Sequence, residues 1–393
     1  MLGAFLLIQA QRNDSIITGN RLFQALGQWS YSIYLWHWPI VVAIYYFSLN
    51  EWFIYLGLIL SLFLGFISFK YIESIKFRSH IHRVLELFTL KPFYMVLSIG
   101  VLSSAIFLTQ GVAWHYSDKV VLAANEANNR NPYKCMVEKK FPCVIGNKDN
   151  IKAIIVGDSH ADALTTSLAS AFNLDESGII ALVKSSCPFI LGVKSIHSGM
   201  ECLEENERRL VFLKQKPYSD IPVFWVARST VYLKGQSNPQ RVIDARSTKP
   251  SIYFSDVRYE RLNKELLNEM ESALELTLNE INKKRTVFIV LPTPEMRTNV
   301  PKKISRSLLF GQGNNHVSID KSLYTDRNRE VIALFDHVVD KISNIKLLDP
   351  THYLCDANTC YGDFKGRPFY YDGDHMSEFG NKRLTPMFLS AMK

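Results

Sequence analysis

The stretch Lys152-Ala153-Ile154-Ile155-Val156-Gly157-Asp158-Ser159-His160 decides the fold. Its short apolar run reads as a β-strand over Lys152–Asp158, buried on both faces. Gly157 lets the backbone turn sharply after the strand, and a helix is expected from about Ala161 to Phe172. Ser159 then stands at the start of that helix, where a hydroxyl can be exposed and free N–H groups can face an oxyanion. Asp and Ser are also favoured helix caps, and a bare Asp-Ser after a strand is most often no more than that. The four-residue string Gly157-Asp158-Ser159-His160 is a more specific signal.

Downstream, short apolar runs alternate with longer amphipathic segments. Strands are expected at Ile179–Ser185, Ile221–Ala227, Thr286–Leu291 and Lys346–Asp349, and helices at Glu201–Lys214, Val257–Lys284 and Asp326–Ile342. This alternation predicts an α/β domain over 151–393, with a parallel sheet covered by helices on both faces. In such sheets the site lies beyond the carboxyl ends of the strands. A serine nucleophile needs a base, and the base an orienting acid. Tyr371-Asp372-Gly373-Asp374-His375-Met376-Ser377, just before the last helix, offers Asp372 and His375 as a DxxH pair. That spacing alone is common, and its weight comes from its position after the last strand.

The first part of the chain has a different composition. Among 393 residues with 45 Lys+Arg and 37 Asp+Glu, residues 1–115 hold 7 basic and 4 acidic side chains, so the two parts carry +3 and +5 of the net +8. Trp29–Leu49 has His37 as its one ionisable side chain of the acidic, basic or histidine type, and Trp52–Phe69 and Pro92–Gly111 have none. Each meets the length needed to cross a hydrocarbon core, about 20 mostly apolar residues. Met1–Ala10 is half that length and reads as the tail of a helix that begins outside this sequence. Lys70, Lys76, Arg78, Arg83 and Lys91 lie between the second and third spans, which puts that loop in the cytoplasm and everything after Gly111 outside. Residues 112–150 read as a polar external linker.

All six cysteines fall in the external part, and an even count in an oxidising compartment reads as disulfides. Of fifteen pairings the sequence-local one is favoured: Cys135–Cys143, Cys187–Cys202 and Cys355–Cys360. A zinc site is disfavoured because no CxxC pair occurs. No metal is expected.

The strings GDSHADAL (157–164) and DGDHMSEFG (372–380) resemble blocks I and V of the SGNH hydrolase family. The resemblance implies a flavodoxin-like three-layer domain in which Ser159 is the nucleophile, His375 the general base and Asp372 its orienting carboxylate, with Asp374 in neither position. A second resemblance lies in LGQWSYSIYLWHWPI (26–40), which is similar to late helices of the acyltransferase-3 family. There His37 belongs to a packing segment and stays outside the catalytic set. Ser186-Cys187-Pro188 and Leu291-Pro292-Thr293-Pro294-Glu295-Met296 also look like SGNH domains fused to such membrane acyltransferases. This chain departs from the pattern in two places. Val226-Ala227-Arg228-Ser229 replaces an expected Asn, and Ser185-Ser186-Cys187 replaces an expected Gly. The oxyanion donor is therefore the Ser159 N–H, with Ser186 and Arg228 as candidates beside it. Arg228 has a competing reading, as the partner of a surface carboxylate.

The resemblance implies an O-acyltransferase, most simply an O-acetyltransferase, acting on a cell-envelope glycan such as lipopolysaccharide O-antigen. The expected location is the bacterial inner membrane, multi-pass, with the C-terminal domain in the periplasm. Acetyl-CoA is the implied ultimate donor, through membrane helices that a longer chain or a partner subunit supplies; no cofactor is expected to be bound. Two readings compete: a periplasmic carbohydrate O-acetyl esterase with the same triad, and an inactive glycan-binding remnant. Nucleic-acid binding is disfavoured, since the modest positive charge follows from topology. Gly311-Gln312-Gly313 follows no strand and makes no phosphate loop.

Overall fold

The computed structural model describes residues 19–47, 49–73, 88, 90–109, 111, 113–197, 199–237, 248–311 and 316–393. Met1–Ala10, most of the basic loop (Lys76, Arg78, Arg83) and Gln312–Gly313 lie outside the described residues. The chain divides into two compact units, Met1–Leu108 and Thr109–Lys393.

In the first unit, α1 (Arg21–Tyr46) is capped by Asn20, whose side chain accepts from the Leu22 N–H. It packs against α2 (Trp52–Ser68), which a π-helical turn extends through Glu73. The buried residues of α2 are Gly57, Ser61, Gly65 and Ser68, all small, at one-face spacing. A Cβ on Gly57 would come within 2.8 Å of Ile44, and one on Gly65 within 2.9 Å of the Ile33 Cα, so small residues set the close approach of the two helices. Of the three expected spans, Trp52–Glu73 is long and apolar enough to cross a membrane. The third lies in α3 (Lys91–Leu108), whose apolar part, Pro92–Leu108, is shorter.

The second unit is built on a six-stranded sheet. Its strands are β1 (Cys143–Gly146), β2 (Ile151–Gly157), β3 (Gly178–Val183), β4 (Val223–Val226), β5 (Val287–Val290) and β6 (Ile345–Leu348). They lie in the order β1-β3-β2-β4-β5-β6, all parallel except β1, which pairs antiparallel with β3. Side chains alternate faces along each strand, and in β2, β3, β4 and β5 both faces are buried. Ile154, Val156 and Trp225 point into a core closed by the helices α6 (Glu201–Leu213), α7 (Ser229–Lys234), α8 (Lys264–Ile281) and α10 (Lys321–Lys341). Ala153, Ile155 and Phe224 point into one closed by α5 (Ser159–Ala169), α9 (Val300–Phe310) and α11 (Glu378–Ala391). Three layers result. The order reverses at β2, which has β3 on one side and β4 on the other, so a crevice opens beyond the carboxyl end of β2.

The expected strands and helices are present, with shifted bounds. The helix expected over Val257–Lys284 begins later, because Asn263 turns its side chain back to accept from the Leu266 N–H and so starts α8 at Lys264. The linker expected over 112–150 is corrected. It carries α4 (Asp118–Asn125) and β1, and buries Ala123, Cys135 and Cys143. Its polar composition hid this, since its buried apolar side chains are few and are joined by hydrogen bonds and a disulfide. Asn131 Nδ2 donates to the Asp162 carbonyl at 2.9 Å, and the Met136 N–H donates to the Asp162 carboxylate.

The disulfides are Cys135–Cys143, Cys187–Cys202 and Cys355–Cys360, with no free cysteine among the described residues. The second closes a separation of 15 residues, which in a chain-entropy account stabilises by about 3 kcal/mol. Replacing Cys187 and Cys202 by Ser is expected to lower unfolding free energy by that order, read as a falling urea midpoint of the full chain in detergent. An unchanged midpoint would deny the bridge a role in stability.

Candidate active site

The turn after β2 is fixed by sterics. Gly157 has φ +153°, and a Cβ there would meet the Val226 carbonyl carbon at 2.9 Å and its oxygen closer still. A side chain at this position would push β2 from β4. Asp158 then acts as the cap of α5, its Oδ1 accepting from the His160 N–H at 2.8 Å. Its Oδ2 accepts from the Arg228 N–H at 2.8 Å and from the Tyr232 hydroxyl at 2.7 Å. The capping role of Asp158 thus coexists with a second one, knotting the carboxyl ends of β2 and β4. Behind the turn, Arg209 is fully buried and donates to the Gly157 carbonyl at 2.9 Å. Burial lowers its pKa to about 10, against the raising effect of nearby Glu205 and Asp158.

Ser159, at the first position of α5, is half-buried, and its Oγ lies 2.8 Å from His375 Nε2. His375 Nδ1 lies 2.9 Å from Asp372 Oδ2, and Asp372 Oδ1 accepts from the backbone N–H groups of Asp374 and His375. The loop carrying this pair is pinned by backbone bonds from Met296 N–H to the Gly373 carbonyl and from Val300 N–H to the Asp372 carbonyl. The Tyr371 ring stacks on the imidazole at 5.1 Å between centroids, and the Arg130 guanidinium lies over the same ring, 4.6 Å from its centroid. The structure therefore brings Ser159, His375 and Asp372 into one hydrogen-bonded line, although 216 residues separate the first two in sequence. Burial depresses the His375 pKa, but the charge of Asp374 and the hydrogen bond and charge of Asp372 outweigh it, and the imidazole is held above its ordinary value.

Residues 130–390, which include every member of this line, match the family described as SGNH domain (fused to AT3 domains). The chain belongs to that family. Among solved structures, the SGNH domain is similar to the periplasmic domain of a lipopolysaccharide acetyltransferase from Salmonella ser. Paratyphi A. Identity is 15%, with 62% of this chain and 85% of that one covered and a TM-score of 0.43. It is also similar to the C-terminal catalytic domain of peptidoglycan O-acetyltransferase A from Streptococcus pneumoniae, bearing a methylsulfonyl adduct. There identity is 12%, with 62% and 93% covered and a TM-score of 0.28. No curated protein sequence matches the chain.

The two oxyanion candidates of the SGNH domain stand differently. Ser186 follows β3 with φ +55°, a left-handed backbone that a glycine would adopt more readily, at the place where the family pattern has Gly. Arg228 has its guanidinium engaged, Nε on Glu295 at 2.6 Å and Nη1 on Asp374 at 3.0 Å. The competing reading of Arg228 as a surface ion pair is corrected, since both carboxylates are largely buried within the domain.

Sequence reasoning gives no role to His160, Asp374 or Glu295. All three sit inside the strings quoted for the family, where the pattern marks only Ser159, Asp372 and His375 as the triad. His160, Asp374 and His375 also offer ligand atoms within 4.8 Å of one another, the spacing a metal ion would use. The oxygen of Asp374 that faces both histidines is the one Arg228 contacts, and a cation already occupies the electrostatic role a metal would have.

Proposed function

We propose that this protein is an O-acyltransferase that moves an acyl group, most simply acetyl, onto a hydroxyl of a cell-envelope glycan through an ester on Ser159. The observation that carries the reading is the Ser159–His375–Asp372 line in a domain of a family fused to AT3 domains. Ser159 Oγ attacks the acyl carbonyl as His375 Nε2 takes its proton. Asp372 holds Nδ1–H, which leaves Nε2 as the acceptor. The oxyanion that forms faces the first turn of α5 and the Ser159 N–H. When it collapses, the bond to the leaving group breaks and the imidazolium returns the proton to that group. In the second half, a sugar hydroxyl gives its proton to His375 and attacks the ester, and Ser159 leaves with the proton restored.

The proposed setting is a multi-pass inner-membrane protein with this domain in the periplasm. It is supported by the apolar helix Trp52–Glu73, the basic loop that follows, and three disulfides beyond it. Acetyl-CoA is the proposed ultimate donor, reaching Ser159 through acyltransferase helices rather than by binding the domain.

Transfer is tested by presenting the purified full chain with a small activated acetyl ester and envelope oligosaccharides, then weighing the sugars. The expected result is acetylated oligosaccharide that Ser159→Ala does not form. Release of free acetate alone at every acceptor concentration would replace transfer with the esterase reading.

A further inference from the structure

A row of alternating charges runs from the triad histidine to the loop after β5, and the acyl-transfer scheme leaves it without a role. Glu295 Oε1 accepts from Arg228 Nε at 2.6 Å, and Arg228 Nη1 meets Asp374 Oδ2 at 3.0 Å. That same oxygen lies 3.6 Å from His375 Nδ1 and 3.3 Å from His160 Nε2. The side chains of Glu295, Arg228 and Asp374 are 12, 11 and 2% exposed. Charges this buried are costly unless each has a partner, and here each one does.

Resting on the reading of Ser159 as nucleophile and His375 as its base, we infer that Asp374 and Arg228 are an opposed pair of positioning residues that act on Ser159 only through His375. Asp374 sets a second negative charge against the imidazole, while Arg228, tied back by Glu295, holds that carboxylate and offsets part of its charge. Asp372 alone supplies the orienting hydrogen bond. The second carboxylate is too far from Nδ1 to add one and works by charge, which acts strongly in a dry interior.

The charged and titratable groups around His375 come from every neighbouring element. Its own loop supplies Asp372, Asp374 and Tyr371; α5 supplies His160, whose ring centroid is 4.5 Å away, and Asp162; the loop after β4 supplies Arg228. Glu295 reaches the imidazole through Arg228, and Arg130 through Tyr371. Against the effect of burial, the raised His375 pKa takes its largest upward contribution from Asp374, and Arg228 opposes it. Burial also works to raise the Asp374 and Glu295 pKa values, yet both carboxyls are held below the usual range, Asp374 by His375 and Arg228, and Glu295 by Arg228.

The signs follow. A base must be neutral, so activity fails as pH falls through the His375 pKa, and the acid limb should lie above that of an ordinary imidazole. Removing Asp374's charge stabilises the neutral imidazole and moves the limb down. Removing Arg228's charge leaves Asp374 unopposed and moves it up. Neutralising Glu295 frees Arg228's field and moves it down.

The test is the rate of fluorophosphonate labelling of Ser159 against pH, on the full chain in detergent. Asp374→Asn is expected to shift the acid limb down by about one unit or more, and Arg228→Gln to shift it up by a similar amount. Arg228→Lys should restore a limb near that of the parent. A purely structural role would lower rate or folded yield with the limb unmoved, and that result overturns the inference. Should either large change prevent folding, Glu295→Gln carries the test alone: a downward shift supports the pair, and an unmoved or raised limb overturns it. Parent protein that is not labelled at Ser159 at any pH instead rejects the nucleophile reading beneath it.

Discussion

Replacing Ser159 with Ala is expected to eliminate covalent labelling of the full chain by a fluorophosphonate, and His375→Ala to slow it by on the order of 10⁴-fold or more. The size follows from the geometry. Among the described residues Ser159 Oγ has one base within hydrogen-bond reach, His375 Nε2 at 2.8 Å, and without it the hydroxyl attacks with its proton in place. Asp372→Asn should leave the fold intact and cost a comparable factor, because an amide at 2.9 Å favours the tautomer with its proton on the wrong nitrogen. Mass spectrometry of the labelled peptide reads all three. Labelling that survives both Ser159→Ala and His375→Ala would remove Ser159 from the mechanism.

The second large effect is expected from a single methyl group. Gly157→Ala sets a Cβ against the Val226 carbonyl, at the last pair of the β2–β4 ladder and one residue before the cap of α5. Neither backbone can yield without breaking the sheet, and the loss should be about 3 kcal/mol or more. Gly192→Ala serves as the comparison. Its φ is +77°, but nothing lies within 4 Å of the added carbon, so only the backbone conformation is penalised, by about 1–2 kcal/mol. Urea midpoints of the two full-length variants give the difference. If Gly157→Ala is no worse than Gly192→Ala, close packing does not fix the turn.

Much of the sheet was legible because burial on two faces writes a continuous apolar run, as in Ala153–Val156 and Phe224–Val226. Elements with few apolar side chains were not. β1 and α4 lie in a stretch whose composition reads as linker, where a handful of buried side chains such as Ala123 and Ile145 are joined by hydrogen bonds from Asn131 to Asp162. The triad residues could be named because their spacing within two short strings is informative. The charges around them could not. Arg228, Glu295 and Asp374 are 67 and 146 positions apart by their hydrogen bond and ion pair, and no local pattern records which carboxylate a buried arginine will meet. The departure from the expected Gly was visible in Ser186, but the left-handed backbone that makes Ser186 resemble that Gly was not.

β1 is held to its sheet twice, by its ladder to β3 and, through Cys143, by a covalent tie to Cys135. A parallel sheet ends in a row of open N–H and C=O groups, and such a row recruits whatever extended chain passes it. On β3 that row is closed by the segment directly preceding β2, running the other way. While the disulfide is closed, a neighbouring molecule can take its place only by drawing the buried Cys135 off the core together with β1. Resistance of this edge to strand exchange is therefore tied to the oxidation state of two thiols.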